Sequence, residues 1–247
     1  MEIGIALPKG RLLEFTSSLL AKAGWELNDY RDKARLYRLK SGRYPGLCAK
    51  MFHEKDIPIQ VAIGNYDLGI CGSDWLEEQL ARFPGSALVK LKDLGYGEGG
   101  VFVAAAAASL ASGALTTRNG RVRIASEYPN LAEKLAEDLN LSRFSIYPLW
   151  GAAEGYPPEN AELVLLSRRS EAEVRQGGLT PLGRLVDFRA CLVANAASLR
   201  SKDMAGLLAT VESNLPQVVK PSEPVNIVNP IRVISGRFTR DEDAVSL

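Results

Sequence analysis

Apolar and polar residues alternate in "EIGIAL" (2–7), the pattern of a strand. From residue 11 the apolar positions of "RLLEFTSSLLAKAG" (11–24) move to helical spacing, with Gly24 as the stop. The same change of period recurs. "LCAKMF" (47–52) predicts a strand, "DIPIQVAIGN" (56–65) a short helix capped by Asp56, and "YDLGICG" (66–72) a buried strand. "SDWLEEQLARF" (73–83) predicts a helix with Ser73 at its N-cap and acidic residues in its early turns. Strands are expected over 87–94 and 100–107. After the polar, glycine-containing joint "SLASGALTTRNG" (109–120) the rhythm restarts, with strands over 121–127, 144–150 and 162–167 and a helix over 130–139. "VDFRACLVAN" (186–195) is able to return as a strand to the first unit, and 201–215 reads as a helix capped by Ser201. The end of the chain is punctuated by proline and then charged; its middle can pair as a strand, and its last residues are expected to fray.

Strand-helix-strand alternation predicts an α/β protein with mainly parallel sheets. The expected division is residues 1–108 with about 183–215 as one subdomain, 109–182 as the second, and 216–247 as a tail. A chain of 247 residues with 46% hydrophobic and 24% charged content is ordinary for a soluble protein. Its formal net charge of +1 supplies no general field for nucleic acid or an anionic membrane, so anion binding has to come from local clusters. Cys48, Cys71 and Cys191 are widely spaced and His53 is the single histidine, a pattern that argues against a zinc site or a disulfide framework and for a reducing compartment. No secretory pattern opens the sequence, and the longest apolar run is broken by serine and glycine, so a cytoplasmic protein is expected.

"LPKGR" places Lys9, Gly10 and Arg11 between a strand and a helix, at the carboxyl edge of the expected sheet, where open α/β sheets bind ligands. A lysine point charge, an arginine fork and a helix N-terminus all suit phosphate, although a solvated turn would carry the same residues. In "DIPIQVAIGNYDLGICGSDWLEE", Gly72 and Ser73 open a second helix at that edge, and Asp67 and Asp74 bracket the strand. The simpler reading of Asp74 is a helix-start residue serving the dipole. Cys71, in a buried strand without a basic neighbour, reads as a packed thiol.

Five blocks stand in the order and spacing of a known family: "ALPKGRL", the 56–78 stretch, "DLGYG" (93–97), "RIASEYPNLAEKL" (123–135) and "GAAEGYPP" (151–158). In them the chain resembles ATP phosphoribosyltransferase, which begins histidine biosynthesis, over roughly residues 1–200, and in length it is similar to the short form. The resemblance implies two α/β subdomains around a cleft, like type II periplasmic binding proteins. It also implies a homo-oligomer that works with a regulatory subunit resembling histidyl-tRNA synthetase. The implied substrates are ATP and phosphoribosyl pyrophosphate (PRPP): adenine N1 displaces pyrophosphate, which leaves with Mg2+. Lys9 and Arg11 would be the pyrophosphate-side cations around Gly10, and Glu154, in the G-x-x-E-x-x-P block, a purine or ribose contact. Gly72, Asp74 and Tyr128 would line the cleft.

After that block the sequence departs from the family pattern. Glu162 stands for the first acid, but Leu166 falls where a ribose-binding aspartate is expected. "RRSEAEVRQG" then intervenes, most simply a solvated helix, before "GGLTPLG". There Gly177, Gly178 and Thr180 match part of the loop that wraps the 5-phosphate, while Pro181 brings no N–H. The arginine usual before "DIP" is absent, with Phe52, His53, Glu54 and Lys55 in its place. Two other readings stand beside the transferase: a non-catalytic binding or regulatory homologue that keeps the ligand cleft, and a cleft protein for a different phosphorylated ligand.

Overall fold

The computed structural model describes residues 2–33, 37–112 and 120–216. Most of the joint expected at 109–120 lies outside them, as does the tail beyond 216. In chain order the first unit contains β1 (Ile3–Pro8), α1 (Leu13–Lys22), β2 (Arg38–Lys40), β3 (Leu47–Phe52), α2 (Ile57–Ala62), β4 (Leu68–Gly72), α3 (Ser73–Arg82) and β5 (Leu88–Asp93). The second contains β6 (Gly99–Ala106), α4 (Ala107–Ser112), β7 (Val122–Ser126), α5 (Pro129–Asp138), β8 (Phe144–Pro148), β9 (Leu163–Arg168), α6 (Glu171–Gln176) and β10 (Leu179–Phe188). The chain then returns to the first unit with β11 (Ala190–Asn195), α7 (Ala196–Ser201) and α8 (Ala205–Glu212).

Each unit is built on its own sheet, one of six strands in the order β2-β3-β1-β4-β11-β5 and one of five in the order β10-β6-β9-β7-β8. Both are mixed rather than mainly parallel. β1 runs parallel to β3 and β4, and β7 parallel to β8 and β9, but β11 lies antiparallel to β4 and β5, and β6 antiparallel to β9.

β6 belongs to the second sheet, so the first crossing falls after Glu98 rather than near residue 108, and the return comes at Phe188 rather than near 183. Composition points to the polar joint, but strand pairing decides the boundary. The helix expected over 201–215 with Ser201 as its cap is α8 alone, which starts at Ala205; Ser201 instead ends the preceding α7, which Asn195 caps through Oδ1, accepting from Ala197 N and Ser198 N at 2.9 and 3.2 Å.

Helical spacing puts Leu13, Thr16, Leu19 and Leu20 on the buried face of α1, and Leu131, Ala132, Leu135 and Ala136 on that of α5. β4 is buried along its whole length, with Gly69 as the point of closest packing: a Cβ there would stand 2.7 Å from Ile57 Cγ2 and 2.8 Å from Val61 Cγ2. The missing side chain lets α2 lie directly on β4. Trp25 is fully buried and donates from Nε1 to Thr210 Oγ1 at 2.9 Å, tying the chain after α1 to α8.

Candidate functional site

The carboxyl ends of β1, β3 and β4 meet at one edge of the first sheet. β1 runs out at Pro8; Lys9 N–H still donates to Phe52 O at 2.9 Å, and Gly10 then turns the chain at φ 84° into the approach to α1. The turn carries Arg11 across the ends of the neighbouring strands. Its guanidinium donates to both oxygens of Glu54 at 3.0–3.2 Å and to both oxygens of Asp74 at 3.0 and 3.2 Å. Its plane also lies 4.5 Å from the centre of the Phe188 ring. Asp74 is fully buried in the first turn of α3, and Glu54 is nearly so.

Desolvation raises the Glu54 carboxyl above its ordinary range, against the pull of Arg11 and a hydrogen bond from Gly72 N–H; the nearby Asp74 charge adds to the rise. Gly72 is required by this arrangement. A Cβ there would collide with Asp74 Oδ1 and stand 2.6 Å from Arg11 Nη2. Arg11 is therefore committed to two carboxylates, and the cluster holds one net negative charge when both acids are ionised. Lys9 differs: among the described residues it has no carboxylate partner, and its ammonium lies 5.4 Å from the Tyr37 ring. Cys71 faces Cys191 directly across β4 and β11; a thiol–thiol hydrogen bond and complete burial push its pKa well up, the state of a packed thiol. His53 is exposed.

In the second unit Glu154 and Gly177 are neighbours: a Cβ on Gly177 would stand 3.8 Å from Glu154 Cβ. Glu154 sits in a short 3-10 turn (Ala153–Gly155), partly exposed, with Oε2 accepting from Arg168 Nη2 at 2.8 Å. Tyr128 is fully buried at the start of α5, its N–H donating to Ser126 Oγ at 2.8 Å. Glu162, also buried, accepts from the Arg123 backbone N–H at 2.6 Å and from the Arg123 guanidinium at 2.8–3.2 Å. That clamp joins the start of β7 to the approach to β9.

Gly177 and Gly178 form no phosphate cradle. Their N–H groups donate to the Glu173 and Arg175 carbonyls at 3.1 and 3.0 Å, and Gly178 stands at φ 80°, the geometry that closes the end of α6. Thr180 follows within β10. The expected solvated helix is α6 itself, entered straight from β9, with Ser170 as its N-cap, Oγ accepting from the Glu173 N–H at 3.4 Å. The strand–helix turn is thus occupied by Glu173, whose carboxylate takes the Arg169 N–H at 2.8 Å, and Glu171 lies beside it. Leu166 points into the core with Val174 and Leu179.

Comparison with known proteins agrees with the order of these blocks. The family profile described as HisG, ATP phosphoribosyltransferase, matches residues 53–215. The ATP phosphoribosyltransferase of Caldicellulosiruptor bescii is 31% identical over 201 residues, covering 81% of this chain and 92% of its own. That of Aquifex aeolicus is 30% identical over 203 residues, covering 81% and 88%. The chain belongs to the ATP phosphoribosyltransferase family.

The fold agrees. The ATP phosphoribosyl transferase (HisG:HisZ) complex from Thermotoga maritima superposes with a TM-score of 0.70 at 21% identity, over 85% of this chain and 97% of that one. The periplasmic aliphatic sulphonate binding protein SsuA from Escherichia coli gives 0.50 at 18% identity, over 86% and 68%. Within this family member, sequence reasoning missed Glu54 as the third member of the Arg11 cluster. The signal was present: Glu54 is an acid two residues ahead of the "DIP" block, in the short turn that follows a strand parallel to β1.

Proposed function

We propose that this chain transfers the phosphoribosyl group of PRPP to N1 of ATP, the first step of histidine biosynthesis. Membership of the family supports the reaction, and the observation that carries the site is the sheet edge where Lys9 stands uncommitted beside the Arg11–Glu54–Asp74 cluster. The bond from the ribose anomeric carbon to the pyrophosphate oxygen breaks, its electron pair leaving with pyrophosphate, as N1 of adenine bonds to that carbon. Lys9 neutralises charge on the departing pyrophosphate, which enters with Mg2+ as part of the substrate. The carboxylate surplus of the Arg11 cluster favours the cationic ribosyl centre, and Arg11 holds both acids in place for it. Glu154 is the candidate contact to purine or ribose in the second unit. ATP binding and a cytoplasmic setting go with this reaction. The Thermotoga maritima neighbour is a HisG:HisZ complex, and a separate subunit of the HisZ kind is the expected partner, alongside self-association.

A second reading, a homologue that binds ligand without turnover, is favoured by one observation. The N–H groups of Gly177 and Gly178, where the anion cradle is expected, are taken by carbonyls at the end of α6, and Leu166 has entered the core. Calorimetric titration separates the two. Saturable binding of both ATP and Mg2+–PRPP supports the transferase; binding of ATP with none of PRPP supports the second reading.

A further inference from the structure

A second cluster of cations lies away from this edge, on a face of the first sheet. β2 and β3 are antiparallel, and their register sets Arg38 directly opposite Lys50 and Lys40 directly opposite Cys48. These four side chains share a face, because Leu39, Leu47, Ala49 and Met51 are buried on the other. Like charges directly opposite one another destabilise a strand pair. Cations on β2 have an ordinary use, since β2 is an edge strand and charge there deters unwanted pairing. β3 is interior, so that use does not extend to Lys50.

Beside Cys48 in the register of β1 stands Gly4, which leaves the floor bare. The result is a cavity of about 490 Å³ lined by Arg38, Lys40, Lys50, Tyr66, Asp67 and Lys202 among others. Tyr66 forms a wall, its ring edge-on to Phe52 with centroids 5.2 Å apart. Of the acids at the cavity, Asp67 is already committed: it accepts from Gly4 N at 2.8 Å, Ser198 Oγ at 2.6 Å and Lys202 Nζ at 2.7 Å. The other, Glu2, accepts from the Cys48 thiol. Among the described residues, Arg38, Lys40 and Lys50 have no carboxylate partner, and the four cations of the lining face only these two acids.

We propose that this cavity binds a phosphorylated small molecule, its phosphate held by Arg38, Lys40 and Lys50 and its less polar part lying against Tyr66. A dianionic phosphate matches the uncompensated charge, and an arginine fork flanked by lysine point charges is the donor set such a group takes. A bound phosphate also turns the Arg38–Lys50 repulsion into shared attraction. The site is distinct from the Lys9 edge: it uses Gly4 at the start of β1 and the turn leading into β4, whereas Lys9 and Gly72 stand at the far ends of those strands.

Titration with inorganic phosphate at constant ionic strength, followed by backbone amide chemical shifts, tests this. Saturable shifts are expected at Gly4, Lys40, Cys48, Lys50 and Asn65, retained in Lys9→Ala and weakened at least tenfold in the Arg38→Gln/Lys50→Gln double variant. Absence of saturable shifts at these amides, equal shifts from matched chloride, or unchanged affinity in the double variant would overturn the proposal. Should the double variant fail to fold, Arg38→Gln alone carries the test, with a loss of at least fivefold expected and unchanged affinity overturning it.

Discussion

Asp74 Oδ2 lies 3.0 Å from Arg11 Nη2 at the carboxyl edge of the first sheet, and the bare backbone of Gly72 is what lets the two meet. Any side chain at 72 occupies the space of that ion pair. Gly72→Ala is expected to displace Asp74 or Arg11 and to lower stability by about 1–3 kcal/mol, the usual cost of overpacking a filled site. Urea unfolding measures the loss, and substrate affinity should fall with it.

Glu54 gives the cluster a pH dependence of defined sign. Burial raises its folded-state pKa above the ordinary value of 4.5, against Arg11. The folded protein therefore keeps a proton there that the unfolded chain has released. The stability from this group is fully present below the unfolded value and is lost as pH rises through the raised one. Glu54→Gln removes that slope, so the unfolding free energy of the variant relative to the wild type should grow as pH rises across this window. A difference that is flat with pH would show that Glu54 titrates alike in both states.

Glu162 is assigned to the scaffold. Its buried carboxylate takes the Arg123 backbone N–H as well as the guanidinium, so Glu162→Gln should lower stability by about 1–3 kcal/mol, the cost of disturbing a buried charged hydrogen-bond partner. Affinity for ATP and PRPP should stay at the wild-type value in the same preparation. Weakened binding with unchanged stability would return Glu162 to the ligand.

Much of the first unit was legible because hydrophobic period and turn chemistry agree there. "EIGIAL" and "LCAKMF" fold as the strands their patterns predict and 73–82 as the predicted helix, although Gly72 rather than Ser73 is its N-cap; the "LPKGR" and "GSD" blocks converge on one edge because β1 and β4 are parallel neighbours. The Arg11 cluster was half legible. Pairing of Arg11 with Asp74 and Glu54 depends on register across three strands, which periodicity does not report. The second unit was harder. Gly177 and Gly178 look like an anion loop by composition, but the same residues end helices, and only the hydrogen bonds of α6 separate the two. Tyr128 sits in a block resembling the family and is fully buried at the start of α5.

Lys9 is the cation at the first sheet edge with no carboxylate to satisfy it among the described residues. Lys9→Ala should raise the KM for PRPP by roughly tenfold to a hundredfold, the worth of one charge-assisted contact. Thermal unfolding should be little changed, since no ion pair is lost. Steady-state kinetics at varied PRPP checks the first, and a melting curve the second.

The most direct measurement is formation of phosphoribosyl-ATP from ATP, PRPP and Mg2+, with and without a HisZ-type subunit, and with pyrophosphatase present to draw the reaction forward. The expected result is product that requires PRPP in at least one of the two mixtures. No product in either, from folded protein beside an active control enzyme, would contradict the transferase assignment.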